Sequence, residues 1–285
     1  MQVQVLFSAP TKTMKKLFAQ LNQHKPAIMG ILNLTPDSFI DGGKYNSFDK
    51  AMIHIENLIN AGAAIIDIGA ESTRPGAKEV SAAIEIERLA PIITKFKQYF
   101  DVPLSLDTKK ASVAEFGLKH GVDIINDVSG GIDPAMRKIV AQQNAAIIIM
   151  HMQNKPETMQ LNPTYDDVVK DIYHFFKKQI GLLEQAGIES IILDPGIGFG
   201  KSLDHNISLL NKLNQFNNLN KPIMVGTSKK SFISKITGEP ENERMEGTII
   251  SNFIAIQKGA TILRVHDVKS TKKVLQLCNA FKELA

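Results

Sequence analysis

Eight short apolar runs in this sequence each stop at a polar side chain, and these stops are where chemistry would be done. The runs are IMGILNL (28–34), AIIDIGA (64–70), PLSLDT (103–108), DIINDVS (123–129), AAIIIMHM (145–152), SIILDPG (190–196), PIMVGTS (222–228) and TILRVHD (261–267). At or beside their C-terminal ends stand Asn33, Asp67 with Glu71, Asp107, Asn126 with Asp127, His151, Asp194, Ser228 with Lys230, and Arg264 with His266. A single carboxylate at a strand end is explained by a cap on the following helix. Eight polar ends in succession are not, and they point to one shared mouth.

The stretch LDPGIGFGKSLDHN (193–206) has glycines at three alternate positions, then Lys201 and Ser202. A phosphate loop needs a glycine, four spacers and Gly-Lys-Ser/Thr, because main-chain N–H groups wrap the phosphates while the lysine reaches in. Pro195 stands where the first glycine should be. The dinucleotide fingerprint fails too, since Gly196, Gly198 and Gly200 are spaced G-x-G-x-G rather than G-x-G-x-x-G. The glycines are therefore read as a turn whose backbone approaches a ligand closely. Asp194 stands at its mouth, and Lys201 is read as a solvated loop residue.

Segments of helical period lie between the runs, as at 49–61, 166–186 and 243–258. Small glycine turns (NAGAA, KHGVD, QAGIES, QKGAT) lead back into strands. Strands that are nearly continuous apolar are buried on both faces, which implies a parallel sheet covered by helices. Eight such units with no strand left over argue for a closed (β/α)8 TIM barrel, an α/β single domain spanning 26–285. Residues 1–25 are an N-terminal extension. In it VQVLF (3–7) reads as a small hairpin plugging the barrel's bottom, and MKKLFAQL (14–21) as a short amphipathic helix.

The 285 residues are 44% apolar and 22% charged, ordinary for a globular protein with a sizeable core. The net charge of +4, without any block of like charges, argues against a nucleic-acid partner and suits a small anionic substrate. Cys278 is the only cysteine, so neither a disulfide framework nor a thiolate metal cluster is expected, and a reducing cytoplasm fits. No run approaches the ~20 apolar residues that span a membrane, and no signal-peptide core precedes residue 25.

Taken together, GILNLTPDSFIDGG, ESTRPGA, LDTKK, INDVSG, MHMQ, DPGIGFGK, GTSKKSF and RVHDV resemble, in order and spacing, the dihydropteroate synthase family. The resemblance runs from about Pro26 to the C-terminus. It implies a transferase of folate biosynthesis, of the class that sulfonamides target. Such an enzyme joins 4-aminobenzoate to (7,8-dihydropterin-6-yl)methyl diphosphate and releases pyrophosphate in a dissociative substitution, as a cytoplasmic homodimer using Mg²⁺. Carried over residue by residue, the resemblance gives the pterin diphosphate Thr73, Asp107, Asn126, Asp194, Lys230, Arg264, Val265 and His266. It gives the 4-aminobenzoate Thr73, Arg74, Pro75, Phe199 and Ser231, and the metal Asn33. Asp107, Lys230, Arg264 and His266 are the expected catalytic groups.

The same resemblance implies that the connections 34–47 and 71–79 order over the bound diphosphate. His151 reads equally well as a structural or a functional histidine. Bland alternatives remain for Asp194 and Ser231 as helix caps. Two positions depart from the family pattern, Lys229 where arginine is usual and Ile40 where serine is usual. The rival readings are another pterin-binding barrel, such as the methyltetrahydrofolate domain of corrinoid methyltransferases, and a non-catalytic pterin-binding homologue.

Overall fold

The structure, a computed structural model, describes residues 12–23, 25–35, 44–72, 77, 79–154 and 158–283. Helix α1 (Lys12–Asn22) precedes strand β1 (Ala27–Asn33). The alternation then runs α2 (Lys44–Ala61), β2 (Ile65–Gly69), α3 (Ala82–Tyr99), β3 (Leu104–Asp107), α4 (Ala111–Lys119) and β4 (Ile124–Asp127). It continues with α5 (Pro134–Gln142), β5 (Ala146–Met150), α6 (Val168–Gln185), β6 (Ile191–Asp194), α7 (Leu203–Asn211) and β7 (Met224–Val225). Helices α8 (Ser231–Thr237) and α9 (Met245–Gln257), strand β8 (Ile262–Val265) and α10 (Val268–Glu283) complete it. All eight expected strands are present, and they pair in parallel in the order β6-β5-β4-β3-β2-β1-β8-β7. The two ends meet at one parallel bridge between Leu193 and Ile223, with the Leu193 N–H donating to Pro222 at 2.9 Å. That bridge makes the sheet a barrel.

Two boundaries differ from the sequence reading. Helix α2 begins at Lys44 and so takes the last residues of the connection expected over 34–47. Strand β7 has two residues instead of a seven-residue run, because the chain leaves the sheet at Gly226 for the turn that carries Lys230. The glycine turns behave as the sequence suggests: Gly62, Gly121, Gly187 and Gly259 all adopt positive φ. Side chains cap the helices locally, with Ser81, Asp133, Asp167 and Ser202 accepting from the first turns of α3, α5, α6 and α7.

Side chains alternate along each strand between the barrel interior and the helical shell. Ile66, Ile68, Leu104, Leu106, Ile125, Leu193 and Leu263 face outward into a shell shared with the helices. The inward set forms a second apolar cluster from Met29, Ile65, Ile124, Ile148, Ile192, Met224 and Ile262. Met14, Leu17 and Leu21 of α1 join that inner cluster, at the i, i+3, i+7 spacing of one helix face. The helix therefore stoppers the barrel interior at the end opposite the polar mouth. The segment 3–7, read as a hairpin, lies outside the described residues.

Leu21 is 1% exposed against that inner cluster. Leu21→Ala is expected to lower stability by about 3 kcal/mol, read from the urea midpoint. Ile53→Ala on α2, where the side chain is 57% exposed, should stay within about 0.5 kcal/mol of the parent.

Candidate active site

The mouth follows from a period of two. One inward step beyond Ile65, Ser105, Ile124, Ile192 and Ile262 stand Asp67, Asp107, Asn126, Asp194 and Arg264. Five strands thus place a polar layer directly on one that is apolar except at Ser105. Arg264 Nε donates to Asp67 Oδ2 at 2.7 Å, and its Nη2 donates to Asp107 Oδ2 at 2.8 Å. Asn126 Nδ2 donates to the same Asp67 oxygen at 3.1 Å, so its amide oxygen is left to accept from a ligand. Burial pushes the Asp107 carboxyl up to about 7, against the pull of Arg264 and with the repulsion of Asp67 adding to it. Burial also works against the Arg264 charge, but Asp67 and Asp107 more than offset it, and the guanidinium stays charged.

Asp67 is the residue whose importance the sequence reading underrates. The sequence shows it only as a polar strand end, yet it is fully buried and fixes both Arg264 and Asn126. Its Oδ1 has no hydrogen-bond partner. The period-two step from Ile65 was the available signal.

Asp194 ends β6 with Oδ1 accepting from Gly196 N–H at 2.8 Å, and burial raises its pKa. It is not a helix cap, since Ser202 and His205 form a reciprocal capping box at the start of α7. The loop beyond Asp194 turns through Gly196, Gly198 and Gly200, all at positive φ. A Cβ at Gly196 would lie 2.1 Å from the His151 carbonyl oxygen, so only glycine fits there. Phe199 is carried out of this loop to meet Lys230, whose Nζ sits 3.9 Å from the ring centroid. Burial lowers Lys230 to about 8, with Arg264 adding to that and Asp194 opposing it.

Lys201 corrects the sequence reading. It is 2% exposed, not solvated, and its ammonium reaches the carbonyls of Phe199 and His151 and the His151 ring. His151 is thereby placed as a structural group. Its ring packs against Phe175 and Tyr165, and burial together with Lys201 holds its pKa down at about 3.

At the β7–β8 side, Ser228 Oγ lies 3.1 Å from His266 Nδ1, which orients an exposed imidazole at the rim. Val265 is an exception within the expected set: its side chain is buried in the outer shell, which leaves only its backbone facing the layer of Arg264. Ser231 is the exposed first residue of α8, and the cap position falls to Lys230. Lys229 takes a left-handed conformation (φ 56°), with its N–H on Thr248 Oγ1 and its carbonyl accepting from Arg244. Asp127 serves its own turn, accepting from Ser129 and Gly131.

Thr73, Arg74 and Pro75 lie outside the described residues, as does Ile40. The root of their segment is anchored, however. Lys110 bonds to both Glu71 and the buried Glu85, and Lys109 bridges Glu71 and Glu79. Asn33, half-buried at the end of β1, offers one amide oxygen. Among the described residues no cluster of three or more His, Cys, Asp or Glu could hold a metal.

A carboxylate on a glycine turn, a lysine over an aromatic ring and an arginine braced by two aspartates thus stand at one end of the barrel. The sequence pattern of the family described as pterin binding enzyme matches residues 29–266. The dihydropteroate synthase of Escherichia coli (strain K12) is 46% identical over 270 residues, covering 93% of this chain and 96% of that one. The chain belongs to the dihydropteroate synthase family of pterin-binding enzymes. A crystal structure of dihydropteroate synthase from Clostridium difficile, in the presence of pteroic acid, superposes with a TM-score of 0.85 at 42% identity, covering 90% of this chain and 97% of that one. That of the Yersinia pestis enzyme with a sulfonamide complex gives 0.86 at 42%, covering 91% and 95%. The barrel of these family members is the barrel described above.

The Asp67 brace yields a test. Asp67→Asn keeps the shape and removes the charge facing Arg264, and should lower stability by about 3 kcal/mol in thermal unfolding. It should also weaken binding of a pterin ligand in calorimetry. Undiminished affinity would mean that Arg264 and Asn126 hold their places without it.

Proposed function

We propose that this chain is a dihydropteroate synthase, which condenses (7,8-dihydropterin-6-yl)methyl diphosphate with 4-aminobenzoate to give 7,8-dihydropteroate and pyrophosphate. The observation that carries the reading is the buried carboxylate of Asp194 beside Lys230 and Phe199. Its partner would be the pterin's edge of parallel N–H donors, the kind of charge-assisted pairing that is strongest when desolvated. Lys230 is suited to donate to the pterin carbonyl, and the Asn126 amide oxygen to accept from the ring. A relative's crystal structure obtained in the presence of pteroic acid, which joins a pterin to 4-aminobenzoate, supports the synthase reading.

The chemistry would be a dissociative substitution. Departure of pyrophosphate leaves a cation on the exocyclic methylene, spread into the pterin ring. Asp107, held in the polar layer by Arg264, is placed to stabilise that cation, while Arg264 and His266 stabilise the departing anion. The arylamine is already neutral near pH 7 and attacks without a strong base, so no covalent enzyme intermediate is required. Asn33 would hold Mg²⁺ through one oxygen, with phosphates and water completing the shell, as is common for this ion. When bound, the ion would supply charge to the leaving diphosphate. Thr73, Arg74, Pro75 and Ser231 would enclose the aminobenzoate together with Phe199.

The same reading makes the enzyme a cytoplasmic homodimer. Cys278, the one cysteine of the sequence, is buried, and no helix among the described residues is long and apolar enough to cross a membrane. Helix α9 exposes Ile250 and Phe253, and its neighbour α10 exposes Leu277 and Phe281, an apolar surface of the kind a second copy covers. Phe253→Glu should shift sedimentation from dimer to monomer.

The deciding assay is pyrophosphate release from the dihydropterin methyl diphosphate with Mg²⁺, with and without 4-aminobenzoate. Release that requires 4-aminobenzoate and yields dihydropteroate is the expected result, and Asp194→Ala should abolish it. Tight pterin binding without release would defeat the synthase reading in favour of a binding protein. The pH profile of kcat/KM should be bell-shaped. Asp107 acts ionised, so activity falls as pH drops through about 7; Lys230 acts protonated, so it falls again above about 8. Lys230→Met should remove the alkaline limb from whatever activity remains.

A further inference from the structure

Lys201 sits behind the glycine turn, in none of the roles assigned above. Its Nζ is 2.8 Å from the Phe199 carbonyl, 3.0 Å from the His151 carbonyl and 3.2 Å from His151 Nδ1. Those three acceptors match the three N–H bonds of an ammonium. Lysine is almost never fully buried unless paired, and among the described residues no carboxylate forms an ion pair with this one. Burial pulls its pKa down to about 7, with Asp194 holding it up from a distance. A side chain that only filled space here would do so at less expense as Met or Leu.

The bonds themselves indicate what the lysine does. The loop 195–200 has no strand or helix ladder; Phe199 N–H donates to the Gly196 carbonyl at 3.0 Å, and the carbonyls of Gly198, Phe199 and Gly200 take partners from outside the loop. Gln160 Nε2 donates to Gly198, and the Tyr165 hydroxyl donates to Gly200, each at 2.7 Å. Asn206 Oδ1 accepts from Gly198 N–H at 2.7 Å. The Phe199 carbonyl is the one met by Lys201. Gly196 and Gly200 lie so close to the backbone of His151 and Gln153 that a Cβ would collide with it. The loop is therefore laid against the chain leaving β5, and Lys201 fastens the residue whose ring faces Lys230.

We propose that Lys201 is a positioning residue for the aminobenzoate half of the site, tying Phe199 to the end of β5 so that its ring is held over Lys230. This rests on the function proposed above. It extends that reading to a residue that touches neither substrate and acts through Phe199.

The test is a double-mutant cycle on the full chain with Lys201→Met, Phe199→Ala and the pair, assayed by pyrophosphate release, with pterin affinity taken from calorimetry. Lys201→Met should raise KM for 4-aminobenzoate about tenfold, the worth of one charge-assisted hydrogen bond. Affinity for the dihydropterin methyl diphosphate should stay within about threefold. In the pair, KM should match that of Phe199→Ala alone, because residues acting through one another are not additive. Additive effects, an unchanged KM for 4-aminobenzoate, or an equal loss of pterin affinity would each overturn the proposal. Should Lys201→Met not fold, Lys201→Gln keeps a shorter donor and should raise the same KM by less; a folded Lys201→Gln with the parental KM overturns it. An inactive parent protein would defeat the synthase reading and this proposal with it, whereas an active parent with an indifferent Lys201→Met defeats this proposal alone.

Discussion

A guanidinium shared between two buried carboxylates holds this site together. Arg264, on the last strand, reaches past β1 to Asp67 on β2 and Asp107 on β3. Buried charges are tolerated only when paired and hydrogen-bonded, so the three side chains fix one another's rotamers. They also fix register. A one-residue slip of β2, β3 or β8 would turn a charge outward into the apolar helical shell, a far worse place for it. The geometry of the mouth and the pairing of the strands are therefore set by one interaction.

That pairing also sets the electrostatics of the reaction. One arginine facing two aspartates leaves Asp107 incompletely compensated, which is why burial holds its carboxyl up at about 7. On the proposed mechanism, a cation forming beside it would supply the missing partner, and a charge already held in place by Arg264 would need little reorganisation to meet it.

Much of this was legible because strands and polar ends obey a strict alternation. Counting two from Ile65, Ile124, Ile192 or Ile262 lands on Asp67, Asn126, Asp194 or Arg264, and the inward face of one member locates the others. The face of α1 was equally plain from Met14, Leu17 and Leu21, although its seat against the barrel interior was not, since the partners come from seven different strands. Lys201 was misread for a related reason. A lysine after glycines looks solvated when only its neighbours in sequence are considered. Its acceptors include His151, fifty residues earlier, and no local pattern announces them. Strand β7 came out short because a run of apolar residues does not reveal where the chain turns away at Gly226.

The barrel's closure has a further meaning. Seven of its eight seams are ladders of paired residues, but β6 and β7 are joined by the Leu193–Ile223 bridge alone. Asp194 lies on one side of that seam and Lys230, beyond β7, on the other. A pterin held by both would be a rivet through the weakest join in the wall, so the substrate would complete the hoop that binds it.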